Sequence, residues 1–200
     1  MANPVQISEE TSGVRPRILD AARAEFSERG PDAASVRTIG KHAGVTAAMI
    51  NYYFGGKQGL YDTVLAEAQR RLLERLAAAV SCGGAEGLPR RLAEAYFDFL
   101  VEERQLQRLL LRQVLDRSDD VRARASEIAS PLRQLLEDNF GGRQVAEQYA
   151  ISVFGAIAGY FLYEPVLGAF LGADPFCPES LAARRKHIGE LASLFERTSS

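Results

Sequence analysis

Apolar residues recur along this chain at intervals of three and four, and no stretch alternates apolar and polar long enough to predict a strand. Ile18, Leu19, Ala22 and Phe26 make one face of a first helix, which begins near Pro16 and stops at Gly30-Pro31. Ser35 is placed to cap a second helix carrying Val36, Ile39 and Ala43 inward, and Gly44 suits the left-handed position that ends it. Thr46 caps a third, with Met49 and Ile50 on its buried side and Gly55-Gly56 as its break. From Lys57 to about Val80, a stripe of Leu60, Val64, Leu65, Ala68, Leu72, Leu76 and Val80 predicts a long fourth helix. After the break "SCGGAEGLP", further helices are expected near 89–103, 105–116, 119–139, 144–171 and 179–197. The expected fold is all-α, with about nine helices and no repeat.

Composition leaves room for a sizeable core: 46% of the 200 residues are hydrophobic, which excludes global disorder. The net charge of -2 does not advertise a nucleic-acid binder, but its distribution is uneven. Residues 13–57 hold seven basic and four acidic residues, a net of +3, whereas residues 58–200 hold 17 and 20, a net of -3. A mildly basic front end therefore precedes an acidic body. The expected organisation is a disordered tail over 1–12 and two helical domains, over 13–73 and 74–200. The segment "MANPVQISEETSG" lacks the apolar core of a secretion signal, and Cys82 and Cys177 have no CxxC partner. These features predict a reducing, cytoplasmic setting.

The run "AISVFGAIAGYFLY" over 150–163 is uncharged, but a membrane span needs about 20 residues. A helix buried on most sides is the expected reading. Gly155 and Gly159 would admit another helix closely, and Val153, Phe154, Ile157, Phe161 and Leu162 would supply apolar area to a dimer seam.

The second and third helices are joined by Ala43-Gly44-Val45, the spacing of a helix-turn-helix whose second helix enters the major groove. Ala47 and Ala48 are small enough to approach base edges, and their methyls match the thymine methyl. Thr46 stands at the helix start, where its hydroxyl and free N–H groups can hold a phosphate. Tyr52 and Tyr53 can reach phosphate oxygens from the far end, and Lys57 offers another such contact. Arg37 and Thr38 on the second helix and Asn51 on the third complete the candidate DNA-contacting set. An ordinary helical hairpin with aromatics in its core is the plainer alternative.

The stretch "ILDAARAEFSERGPDAASVRTIGKHAGVTAAMINYYFGGKQGLYDTVL" resembles the N-terminal domain of TetR-type transcriptional regulators over about residues 15–65. The shared positions, in order, are Ala22, Phe26, Gly30, Thr38, Ile39, Ala43-Gly44-Val45, Tyr52-Tyr53-Phe54, Lys57 and Leu60. Gly40 stands where the family commonly has Ala, a change expected to loosen the second helix. Met49 replaces a commonly small residue, and Asn51 replaces a frequent Tyr, leaving an adenine edge as its natural partner. The later part resembles the family only in helix count and in the ending "GADPFCPESLAARRKHI". The resemblance implies a repressor that binds operator DNA as a homodimer through the helices at 144–171 and 179–197, and a small molecule entering between 57 and 139.

Other chemistry is thin. A phosphate loop would need Gly at position 51 and Ser or Thr at 58, where Asn51 and Gln58 stand. No nucleophile set and no metal-ligand spacing presents itself, so no enzyme activity, cofactor or metal is expected. Arg104, Arg108 and Arg112 recur every four residues, either as a solvated face or as the grip on an anionic effector. Tyr96, Phe99, Arg108, Arg112 and Tyr160 are the candidate effector contacts, with core packing the alternative for the aromatics. An all-α ligand-binding or adaptor protein without DNA binding is the competing functional reading, supported by the slender +3 of the front end.

Overall fold

The computed structural model describes residues 4–84, 86–104, 130–140 and 142–196, with backbone alone for 4–12. Every regular element among them is a helix. They fall into two compact units: one runs to Gln69, and the other starts at Arg70.

In the first unit, α1 spans Pro4–Ala33, α2 Val36–Ala43 and α3 Ala47–Phe54; α4, Lys57–Ser81, starts here and ends in the second unit. Helix α1 therefore starts earlier than expected, so residues 4–12 are helical rather than a tail. No proline interrupts 5–15, and Pro4 at the first turn needs no amide partner. The expected stop survives as a break: Gly30 has φ 77° and ψ 165° inside α1, ahead of Pro31. Ile18, Ala22, Phe26, Ile39, Ile50, Leu60 and Val64 have no exposed surface and form the first core, with Phe26 edge-on to Tyr61 at 5.2 Å. A fully buried side chain of this size contributes about 1.5–3 kcal/mol.

Two glycines set how closely these helices meet. A Cβ on Gly40 would lie 2.8 Å from the Val45 carbonyl oxygen, and one on Gly59 only 1.9 Å from that of Phe54. The expectation that Gly40 loosens α2 is thus corrected: its missing methyl lets the turn into α3 fold back onto α2. Gly59 likewise lets the first turn of α4 press on the end of α3.

In the second unit, α5 spans Leu88–Glu102, and residues 130–139 form α6. Then come α7, Arg143–Tyr149; a π-helical turn, Ala150–Phe154; α8, Gly155–Leu162; α9, Glu164–Leu171; and α10, Pro178–Ser193. The single helix expected over 144–171 is therefore corrected: it contains a π turn and breaks at Tyr163, because Pro165 cannot donate into a continuing ladder. The helices expected over 105–116 and at the start of 119–139 lie outside the described residues. Helix α10 lies along α5, where Arg185 forks onto Asp98 at 2.8 and 2.9 Å and reaches Glu94 at 3.0 Å. The second core gathers Leu76, Leu92, Phe97, Tyr149, Ile157 and Ile188. The stretch Arg143–Leu162 is long and apolar enough to cross a membrane by length and composition, and its Ala146, Tyr149, Val153 and Ile157 are buried inside this core.

Candidate nucleic-acid interface

Helix α3 is two turns long, and its ends are set by local chemistry. The Thr46 hydroxyl accepts the Met49 amide at 3.3 Å, and Gly55 closes the helix in the left-handed region at φ 70°. Ile50 and Phe54 are buried below it, while Thr46, Ala47, Ala48, Asn51 and Tyr52 face solvent. Positions 47, 48, 51 and 52 share one side of a helix. The outward face is therefore small at its start and polar or aromatic at its end. Tyr52 is 85% exposed and rests edge-on against Tyr53 at 5.3 Å; Tyr53 is half-buried on the first core. The Arg15 guanidinium stands 5.5 Å from the Phe54 ring and fixes the helix end from α1.

Helix α2 presents Arg37, Lys41 and His42 to solvent, with Thr38 half-buried, and ends on Gly44 at φ 68°. Lys41 is one turn from Arg37 and belongs with it as an exposed cation. The i, i+4 spacing in the sequence is the signal that could have found it.

Ser35 and Lys57 make contacts that the sequence does not announce. Ser35 occupies the N-cap position of α2, but its side chain makes no capping bond. Its amide donates instead to the buried Glu25 carboxylate at 3.3 Å, a partner that lies ten residues earlier and has no local signature. Lys57, expected to hold a phosphate, commits two of its N–H groups to the carbonyls of Asp32 at 3.0 Å and Ala34 at 3.3 Å.

The candidate effector residues that are described, Tyr96, Phe99 and Tyr160, do not line one pocket. Tyr96 packs on Phe154 at 4.7 Å, and burial pushes its phenol up to about 12. Phe99 is buried in the second core. Tyr160 belongs to a separate aromatic group with Phe97, Phe161 and Phe176, and its hydroxyl donates to the Pro175 carbonyl. Arg108 and Arg112 lie outside the described residues. Tyr160 also lines an open groove of about 600 Å³ with Gly159, Leu167, Phe170 and Arg184. A smaller hollow of about 260 Å³ lies between Leu132, Leu136, Ala146 and Ala150. Tyr96 and Phe99 line neither.

The expected dimer seam is also corrected. Val153, Ile157 and Phe161 are buried in the protomer's own core and Phe154 is half-buried, so these side chains cannot form an outward seam. Gly155 and Leu162 are exposed and Gly159 is half-buried. The large apolar side chains exposed among the described residues of this unit are Ile151, Leu162, Tyr163, Val166, Phe170, Leu171, Leu191 and Leu194. A uniformly apolar run offers no contrast from which to read its inner face, and the π turn shifts the helical phase within it.

Known proteins place this geometry. Residues 18–64 match the model of the family described as bacterial regulatory proteins, tetR family. The Bacillus subtilis protein named "Probable HTH-type transcriptional regulator YttP" is 34% identical over 101 residues, covering 49% of each chain. The HTH-type transcriptional regulator BetI of Vibrio campbellii is 38% identical over 66 residues, covering 33% of this chain and 31% of its own. The chain thus spans about half the length of the first of these curated relatives and less of the second. Among solved structures, the fatty acid degradation regulator FadR from Bacillus halodurans superposes with a TM-score of 0.70 at 18% identity, over 89% of this chain and 97% of its own. FadR from Bacillus subtilis, solved with stearoyl-CoA, gives 0.67 at 20% identity, over 88% and 96%. At these identities the structures speak for the fold alone. Residues 18–64 thus carry the domain of the tetR family, and the described residues take the fold of these structures.

Proposed function

We propose that the protein is a DNA-binding transcriptional regulator, a cytoplasmic repressor that a small molecule releases from its operator. The observation that carries this reading is the outward face of α3: Thr46, Ala47, Ala48, Asn51 and Tyr52 are all exposed on a helix that follows a tight turn from α2. Ala47, Ala48 and Asn51 face base edges in the major groove. Thr46, Tyr52 and Tyr53, with Arg37 and Thr38 on α2, hold phosphates. Exposed Lys41 adds a further positive charge on α2.

A two-fold operator asks for two reading helices about 34 Å apart, hence for a homodimer. The outward apolar face of α8 and α9, with Leu162, Tyr163, Val166, Phe170 and Leu171 exposed, supports pairing there. The effector binds the second unit and acts through α4. Selection from a random DNA pool tests the core of the proposal. The wild type enriches a two-fold sequence, and Ala48→Glu, with unchanged thermal unfolding, enriches a different one or none. Identical enrichment by both proteins overturns the placement of α3 in the groove.

A further inference from the structure

Between α1 and α2 the chain turns a corner at Ala34 and Ser35, and two distant charged side chains meet it. From the first turn of α4, Lys57 donates to the carbonyl oxygens of Asp32 and Ala34 at 3.0 and 3.3 Å. From within α1, Glu25 accepts the Ser35 amide at 3.3 Å while its carboxylate pairs with Arg29 at 3.5 Å. Glu25 is 2% exposed, so it cannot touch a DNA ligand. Its carboxylate does what α2 leaves undone: the Ser35 hydroxyl makes no capping bond, and the first turn of α2 carries no acid. A helix start with unpaired N–H groups and a positive dipole end favours an anion there.

Lys57 occupies a particular place in this arrangement. Only Gly55 and Gly56 separate it from the end of α3, and Gly59 brings the same turn of α4 against the Phe54 carbonyl. The start of α4 is therefore tied on both sides of the α2–α3 pair: by the chain to Phe54 at its end, and by two hydrogen bonds to Asp32 and Ala34 at the α1–α2 corner that precedes it. Glycine has the widest torsional range of any residue, so the covalent connection alone leaves orientation weakly fixed. The hydrogen bonds supply what the glycines do not.

We propose that Lys57 and Glu25 are positioning residues for the DNA interface. Together they clamp the α1–α2 corner, and Lys57 transmits displacement of the first turn of α4 to α2, and so to the reading face of α3. The consequence for DNA rests on the regulator reading above; the clamp itself is a property of the free protein.

Lys57→Met keeps the stem and removes the donors, Glu25→Gln keeps the shape and removes the charge, and Lys57→Arg restores a cationic donor. The full chain is followed by amide hydrogen exchange without DNA. It is also followed by binding, across salt concentrations, to a duplex that the wild type selects from a random pool. Exchange over Val36–Ala43 is expected to rise about tenfold in Lys57→Met and in Glu25→Gln, to rise no further in the double variant, and to recover in Lys57→Arg. Affinity is expected to fall about tenfold in either single variant, with the salt slope changing by less than about half a unit. A slope lowered by about 0.9 in Lys57→Met with unaltered exchange makes Lys57 a phosphate ligand only and overturns the clamp. Multiplying losses in the double variant overturn the coupling between the two residues. If the wild type selects no duplex, the regulator reading fails, and the exchange measurement still decides for or against the clamp.

Discussion

The two units treat their large apolar side chains in opposite ways. In the first, Tyr52 is the one large hydrophobic left exposed among the described residues; in the second, Ile151, Leu162, Tyr163, Val166, Phe170 and Leu171 are all exposed, Phe170 at 84%. A lone ring carrying a phenol at its edge suits contact with a polar polymer, where the ring packs on sugar and the hydroxyl reaches an oxygen. A run of apolar side chains along two consecutive helices needs a covering surface of its own kind. The difference teaches that exposure alone does not name a partner. The neighbourhood does: small and polar around Tyr52, apolar around Phe170.

The sharpest way to break the contrast is to truncate one aromatic from each side. Phe26→Ala, at a position with no exposed surface, is expected to cost about 3–5 kcal/mol in urea unfolding. Phe170→Ala is expected to cost the isolated protomer less than about 0.5 kcal/mol and to shift sedimentation toward a smaller species. Equal losses from the two substitutions would mean that Phe170 is already covered within one protomer. Gly40→Ala comes next, at about 1–3 kcal/mol, because the added methyl meets the Val45 carbonyl, which is backbone and cannot swing aside. An unfolding midpoint equal to the wild type's would show that the turn between α2 and α3 has room to spare.

Alkaline titration probes the second unit from within. Burial pushes the Tyr96 phenol up to about 12 and raises that of Tyr149 as well, the latter opposed by a backbone hydrogen bond at Ala93. The folded state therefore holds these protons more tightly than the unfolded state, whose phenols titrate near 10. Stability that is full below pH 10 should decline as pH rises from about 10 toward 12. A urea midpoint that does not move across that range would contradict the burial of these rings. The smallest effect belongs to Tyr52→Phe. It should leave unfolding unchanged and weaken DNA binding by less than about 1 kcal/mol, the value of one exposed hydrogen bond. A large loss of stability would place Tyr52 in the core after all.

What the sequence made legible follows the same division. Gly44, Thr46 and Gly55 were readable because turn and cap chemistry is local, decided by a residue and its neighbours within four positions. The inward positions Ile18, Phe26, Ile39 and Ile50 were readable because polar residues between them mark the outer face. Val153, Ile157 and Phe161 were placed on the wrong side because nothing in an uncharged run marks a face, and the π turn at Ala150–Phe154 resets the phase. The capture of Lys57 by Asp32 and Ala34, and of the Ser35 amide by Glu25, was beyond sequence reading because backbone acceptors and donors carry no residue-type signal.

The exposure of Tyr52 also has an optical consequence. The chain contains no tryptophan, so its ultraviolet emission comes from its seven tyrosines, with no indole to drain their excitation. Tyr52 stands in water on the helix proposed to meet DNA, with only the edge of Tyr53 against it. The difference in emission between the wild-type chain and its Tyr52→Phe counterpart therefore reports the reading face: Tyr52 and the Tyr53 ring 5.3 Å away, with which it exchanges excitation. Titrated with duplex, that difference reports occupancy of α3 without any dye attached.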